Sequence, residues 1–329
     1  MAMPESKATN RRDCIKTIAS AAASLTLPIA TTTQGANGAE SERAPLPVVD
    51  THMHVWSDDP RRFPFAHPYK PNFKQPPTPA TMEMLLEDMD QNGVTHSILV
   101  QCIYHGWDNR YVAQCAKAHP SRFRAQGLID PTDPNVAEKL EYWMIEHGFS
   151  GMRLSPIYYQ GRDAWLNSPA SRVLWKKAED LGAIFNLFIA SNQLPRLQDM
   201  VQRYPGVYVL IDHVAYIRAD APKKEQDKLL VLANVPNISV KFSELQSVSP
   251  GGKYPYRDSY DWLRRVYDAF GPDRILWGTG YPGAARARFN CPNLKQELDL
   301  IRQEIPFLTT EDKNKILGLN AARIWNLKV

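Results

Sequence analysis

The chain has 329 residues, with 39 Lys+Arg against 35 Asp+Glu and a formal net charge of +4. That near balance excludes the basic stripe of a nucleic-acid binder. A composition of 43% hydrophobic and 22% charged residues excludes disorder for the bulk of the chain, and four cysteines at this length exclude a disulfide scaffold.

Residues 1–45 read as an address and linker, and residues 46–329 as one domain. Asn10-Arg11-Arg12-Asp13-Cys14-Ile15-Lys16 precedes the weakly apolar IKTIASAAASLTLPIATTT and then the polar QGANGAESERAPL. A basic start, a short apolar run and small residues beyond it are the parts of an export signal. The paired arginines resemble the twin-arginine signal, although Cys14 stands where an aromatic or Leu is usual. The expectation is a substrate of the twin-arginine export machinery in a bacterial periplasm or cell envelope. A disordered basic tail is the alternative.

From Leu46 onward, short β-branched or apolar runs alternate with helical patterns. PVVDTHMHV (47–55) is the first predicted strand, followed by a Pro-rich and aromatic connection over 56–80. The helical TMEMLLEDMDQNG leads to HSILVQCI (96–103), and NRYVAQCAKAHP leads to FRAQGLI (123–129). NVAEKLEYWMIEHG precedes GMRLS (151–155), and SRVLWKKAEDLG precedes AIFNLFI (183–189). QLPRLQDMVQRYP precedes GVYVLIDHV (206–214), and KKEQDKLLVLANVPN precedes ISVKFSEL (238–245). YDWLRRVYDAFGP precedes RILWGTGYP (274–282), and a last helical region covers 294–325. Gly or Pro stands at the helix-to-strand junctions, where a helix should stop. Eight strand–helix units predict an α/β fold, the (β/α)8 TIM barrel. A doubly wound sheet would want a Gly-rich phosphate loop after an early strand, and none is present.

In such a barrel the chemistry sits at the C-terminal strand ends. Asp50-Thr51-His52-Met53-His54 closes strand one, and residues i and i+2 share a face, so His52 and His54 point together into the mouth. Such a pair either ligates a metal or binds a carbonyl oxygen without one. His213 closes strand six and brings a third imidazole to the rim, while the neighbouring Asp212 is expected to point the opposite way. Arg153 ends strand four as either a substrate clamp or an internal salt-bridge partner. Lys241 and Ser243 share one face of strand seven, with Glu244 on the other; Lys241 either touches substrate or is a structural cation. Gln101 can hydrogen-bond at the rim, Asp108 is placed to cap the next helix, and Cys102 reads as a buried small hydrophobe. Trp56, Phe63, Phe65, Tyr69 and Phe73 suggest an apolar-lined lid, with Arg61 and Arg62 placed to attract an acidic substrate or simply solvated.

Together VVDTHMHVW, ILVQCIYHGWDN, GMRLSP, VLIDHV, ISVKFSEL, RILWGTGYP and LGLNAARIWNL resemble the amidohydrolase-related family of TIM-barrel metal-dependent hydrolases. The likeness runs from about 47 to 327 and is nearest to its branch of pyrone-dicarboxylate and sugar-acid lactonases. By this resemblance His52, His54 and His213 are catalytic, with His52 and His54 holding any metal, and Arg153 binds substrate; Gln101, Lys241 and Tyr281 are further candidates for substrate contact. One divalent ion, Zn or Mn, is implied, and metal-free activity is also compatible with the family.

The chain departs from that pattern in Trp277-Gly278-Thr279-Gly280-Tyr281-Pro282, where Gly280 stands in place of the family's strand-eight aspartate. Glycine cannot take a proton from water, and loss of a positioned base costs about 10²–10⁴-fold. Three consequences stay open. Glu244 or Asp108 supplies the carboxylate from another strand, or a metal on the histidines acidifies water alone, or the site only binds. The expected activity is hydrolysis of an anionic or polar lactone or related cyclic ester of a small acid. A non-catalytic acid-binding barrel and a decarboxylase or hydratase are the alternatives.

Overall fold

In the computed structural model of the chain, residues 46–328 are described. The twin-arginine segment and Cys14 lie outside them.

Eight strands follow one another in chain order: β1 (Val49–Met53), β2 (His96–Val100), β3 (Phe123–Leu128), β4 (Gly151–Leu154), β5 (Ile184–Leu187), β6 (Tyr208–Ile211), β7 (Ile238–Phe242) and β8 (Ile275–Trp277). Each pairs in parallel with the next. The first and last strands meet through His54 N–H donating to Gly280 O at 2.7 Å and Thr51 Oγ1 donating to Trp277 O at 2.6 Å. Eight parallel strands closed in this way, with helices outside, are the expected (β/α)8 barrel.

The strands read as continuous buried runs because helices cover their outer faces. Two cores result. Inside the barrel Val49, Ile98, Val100, Ile184, Leu210 and Leu276 pack with Trp325 and Leu327. Outside it, helices α1 (Met82–Asn92), α2 (Arg110–Ala118), α3 (Val136–Ile145), α4 (Arg172–Leu181) and α5 (Leu194–Arg203) press Leu85, Val112, Leu140, Trp175 and Leu197 against the strands. Helix α1 starts where the Thr81 side chain accepts the Met84 N–H, and it stops at Gly93 in the left-handed conformation (φ 69°).

All eight predicted strands are longer than the observed ones, and three of them for one reason. Strands 206–214, 238–245 and 274–282 end at Ile211, Phe242 and Trp277 because the backbone beyond them leaves the ladder. His213, Val214, Ala215 and Tyr216 have φ between 51° and 55°, Glu244 has φ 48° and Gly280 has φ 130°. The last helical region is also broken: π-helical stretches at Leu300–Glu304 and Lys315–Leu319 continue the helices beside them, and the break falls between Glu304 and Thr310, at Pro306.

Candidate active site

The barrel mouth is built around three neutral imidazoles. His52 Nε2 and His54 Nε2 approach to 3.2 Å, and the His52 ring lies 4.7 Å from His54 and 4.4 Å from His213, centroid to centroid. His54 Nδ1 is 2.7 Å from Val100 O, which only accepts, so that nitrogen carries the proton and Nε2 faces His52 as a lone pair. His213 Nδ1 meets Ser243 Oγ at 2.8 Å, which leaves its Nε2 buried without a hydrogen-bond partner. Burial holds all three rings unprotonated: His52 is well below the usual imidazole range, and His54 and His213 are lowered to about 3. Nearby Arg153 lowers the last two further, and Lys241 adds to the effect on His52 and His213.

Asp212 does not point away from the mouth as expected. It is fully buried at the centre, with Oδ2 accepting from Arg153 Nε at 3.2 Å. Its Oδ1 lies 3.2 Å from Lys241 Nζ and 3.3 Å from His52 Nδ1. The expectation failed because alternation was anchored on His213. Leu210 belongs to the inner core, so period two carries Asp212 inward, and it is His213 that needs the left-handed turn. Burial opposes ionisation of Asp212, but Lys241, His52 and Arg153 together hold its carboxyl well below the usual range.

Lys241 is equally enclosed, and its ammonium contacts Thr51 O at 2.8 Å, Asp212 and, at 3.2 Å, His52 Nδ1. Of the two roles open to it, the geometry is that of a structural cation beneath His52. Nδ1 of His52 faces both a donor (Lys241) and an acceptor (Asp212), but the lone pair on His54 Nε2 selects the tautomer in which His52 carries its proton on Nε2 and accepts from Lys241 at Nδ1.

Glu244 is turned inward too, contrary to its strand face, by its own left-handed backbone. Its Oε2 accepts from Tyr216 Oη at 2.5 Å, and Oε1 lies 3.7 Å from His213 Nε2. Burial pushes its carboxyl up to about 7 against the pull of Tyr216 and Arg153. His52, His213 and Glu244 each offer a ligand atom, all within 4.8 Å of one another. Two imidazoles and a carboxylate are a fitting donor set for one divalent ion, and the orphaned His213 Nε2 is an atom that such an ion would satisfy. This set differs from the expected His52 and His54 pair.

Asp108, the other carboxylate named for the role, is engaged by a neighbouring arginine. Asp108 is taken up by Arg110, which donates to it from its guanidinium at 2.6–3.0 Å and from its backbone N–H at 3.0 Å. Gln101 is fully buried, donates to Asp108 O at 3.1 Å and keeps a free amide oxygen. Asp50, behind the histidines, accepts from His52 N–H and from both the N–H and hydroxyl of Thr279, tying β1 to β8.

Aromatic rings from six different loops surround this centre. Tyr281 lies 5.5 Å from His54 and 6.2 Å from Trp56, which is 5.2 Å from Tyr104. On the other side Phe188 lies 5.6 Å from Tyr158 and 5.2 Å from Tyr216, and Arg153 stands 4.4 Å over the Phe188 ring. The 56–80 connection caps this collar in part: Phe73 stacks on Tyr104 and Tyr69 on Tyr158. Phe63 packs on Tyr111, and Phe65 lies against His105 and the cluster that holds Trp56. Arg61 and Arg62 are exposed.

Tyr216 and Phe188 carry no motif and have no signal in the sequence. The usable signal was Gly280 itself, since a missing carboxylate on one strand directs attention to acidic residues ending its neighbour.

Imidazoles and a carboxylate gathered at the C-terminal rim of a (β/α)8 barrel define a barrel hydrolase. The chain belongs to the amidohydrolase family, whose sequence profile matches residues 49–327. It is 27% identical over 304 residues to a 2-pyrone-4,6-dicarboxylate hydrolase of Comamonas testosteroni, covering 86% of this chain and 91% of that one. It is 26% identical over 282 residues to a 4-sulfomuconolactone hydrolase of Hydrogenophaga intermedia, covering 84% and 88%. A solved structure, a probable 2-pyrone-4,6-dicarboxylic acid hydrolase of Acinetobacter baumannii, superposes with a TM-score of 0.70 at 20% identity, over 85% of this chain and 100% of that one.

Proposed function

We propose that the enzyme opens a lactone, or a related cyclic ester, that carries one anionic group, by attack of water on the ring carbonyl. The observation that carries this reading is the convergence of three unprotonated imidazoles with Arg153 inside one aromatic collar. The two curated relatives are named for hydrolysis of anionic lactones.

In the tautomer that Lys241 favours, His52 presents an Nε2–H, and His213 does the same when Ser243 donates to its Nδ1. These two donors, that of His213 free and that of His52 shared with the His54 lone pair, are placed to hold a carbonyl oxygen and to stabilise the negative charge that develops on it. The guanidinium of Arg153 is anchored at Nε by Asp212, and its terminal N–H groups are available for a carboxylate. Lys241 and Arg153 against Asp212 leave a single positive charge for substrate when Glu244 is protonated, and an ionised Glu244 balances it. A flat ring suits the collar better than a polyhydroxylated one, because rings in apolar walls bind by their faces. A divalent ion on His52, His213 and Glu244 would take the place of the two imidazole N–H donors and would supply carbonyl polarisation and a more acidic water instead. The paired Arg11 and Arg12 support placing this reaction in the cell envelope.

The test is acid release from a panel of lactones in weak buffer, with and without chelator or added Zn²⁺ or Mn²⁺. His52→Ala and His54→Ala should each abolish turnover. Unchanged turnover in both would overturn the assignment, and tight binding of a small acid with no product would make the barrel a binding protein.

A further inference from the structure

The enzyme lacks a side chain at Gly280, yet the space beside that glycine is not empty. A Cβ built there would meet Glu244 Oε1 at 3.3 Å. Gly280 also has φ 130°, a conformation that L side chains rarely adopt. Glu244 reaches this space only because its own φ of 48° swings it off the outer face of β7. The carboxylate is then held at both ends, Oε2 by the Tyr216 hydroxyl at 2.5 Å and Oε1 facing His213 Nε2 at 3.7 Å. That 3.7 Å gap is too long for a direct hydrogen bond, and Nε2 has no other partner.

We propose that Glu244 supplies the carboxylate this active centre lacks on strand eight: it occupies the space left by Gly280 and, through Oε1, holds the attacking water. The proposal rests on the hydrolase reading above. In the step it implies, the water oxygen bonds to the ring carbonyl carbon while one water proton passes to Oε1, and the carbonyl electron pair moves onto the oxygen held by His52 and His213. When that carbonyl re-forms, the ring C–O bond breaks and the proton on Glu244 passes to the departing ring oxygen. Atoms balance as lactone plus water giving a hydroxy acid, with no oxidant or further reactant. Tyr216 is the positioning residue, fixing which oxygen of Glu244 faces the water.

Two linked experiments test this. Glu244→Gln keeps the shape and the Tyr216 contact, and it should lower kcat by about 10²–10⁴-fold with KM little changed. Turnover within about threefold of the parent, with His52→Ala inactive, overturns the role of Glu244 and leaves the hydrolase reading standing. A parent that opens no lactone removes both. The second experiment reads the shared space without reference to substrate. Gly280→Asp should lower Tm in the parent, where two carboxylates crowd one space, and lower it less in a Glu244→Ala background. The double variant Glu244→Ala/Gly280→Asp should also turn over faster than Glu244→Ala alone. Equal Tm losses in the two backgrounds would show that the residues do not share the space, and that result overturns the proposal.

Discussion

The active centre is assembled by two devices that differ in how they use the backbone. On one side, Arg153 and Lys241 project inward because they lie on the inner faces of β4 and β7, and Asp212 and Ser243 do so because they continue that alternation one residue past β6 and β7. On the other, His213, Tyr216 and Glu244 lie off those faces or beyond them and are swung in by left-handed backbone at non-glycine residues. The first device stores its energy in ion pairing, since two buried cations share one buried carboxylate. The second stores it in conformation, at about 1–2 kcal/mol for each L-residue held left-handed. A strand-borne side chain is held by the whole sheet, whereas a turn-borne one is held by local contacts such as Ser243 on His213 and Tyr216 on Glu244.

The largest effect that would expose the first device is at Asp212. Asp212→Asn keeps the volume but leaves Arg153 and Lys241 buried without a counter-charge, and it should cost about 3–5 kcal/mol in urea unfolding. Lys241→Met should cost less, because Asp212 then still pairs with Arg153. A loss below about 1 kcal/mol for Asp212→Asn would mean that the buried charges do not act as a network.

A third arrangement, outside the strands, separates burial from either device. Glu297, in the helix Leu294–Asp299, is 2% exposed, and its Oε1 has no hydrogen-bond partner. Burial raises its carboxyl to about 8 despite the pull of Arg286. In the unfolded chain the group ionises near 4.5, so between that pH and about 8 the folded state holds the extra proton. The contribution of Glu297 to stability should therefore fall as pH rises through this window and level off above it, by an amount on the order of a few kcal/mol. Glu297→Gln should remove this contribution and be the more stable protein at pH 8. Urea midpoints of parent and variant that run parallel from pH 5 to 8 would show that Glu297 is solvated or paired.

The two devices also explain how much could be read from the residues alone. The alternation of apolar runs with helical patterns was enough for the barrel and its strand order, because each strand is buried on both faces and each helix keeps its stripe. The His52 and His54 pair was equally plain, as was the shared face of Lys241 and Ser243. Strand six misled because its apolar run does continue through Val214 and Ala215, and neither residue signals a left-handed backbone. Asp212 and His213 were therefore exchanged between faces. Tyr216 had no signal, and the inward turn of Glu244 depends on a φ value that no residue type at that position announces.

The smallest expected effect is the sharpest comparison of the two devices, since it uses the same substitution in both. Ala125 lies in the middle of β3 and Ala215 in the left-handed turn, and each is buried to 1%. In the strand, Ala125→Gly removes a packed methyl and frees the unfolded chain, so it should destabilise by about 0.5–1 kcal/mol. In the turn, Ala215→Gly also loses a methyl, but it removes the Cβ clash that φ 55° imposes, which is worth about 1–2 kcal/mol. The net effect should be neutral to stabilising, opposite in sign to the strand variant. If both variants lose stability equally, the turn carries no conformational strain. His213 and Tyr216 would then be held at the centre by their hydrogen bonds alone, and Ser243→Ala would be expected to release His213 without any compensating gain in stability.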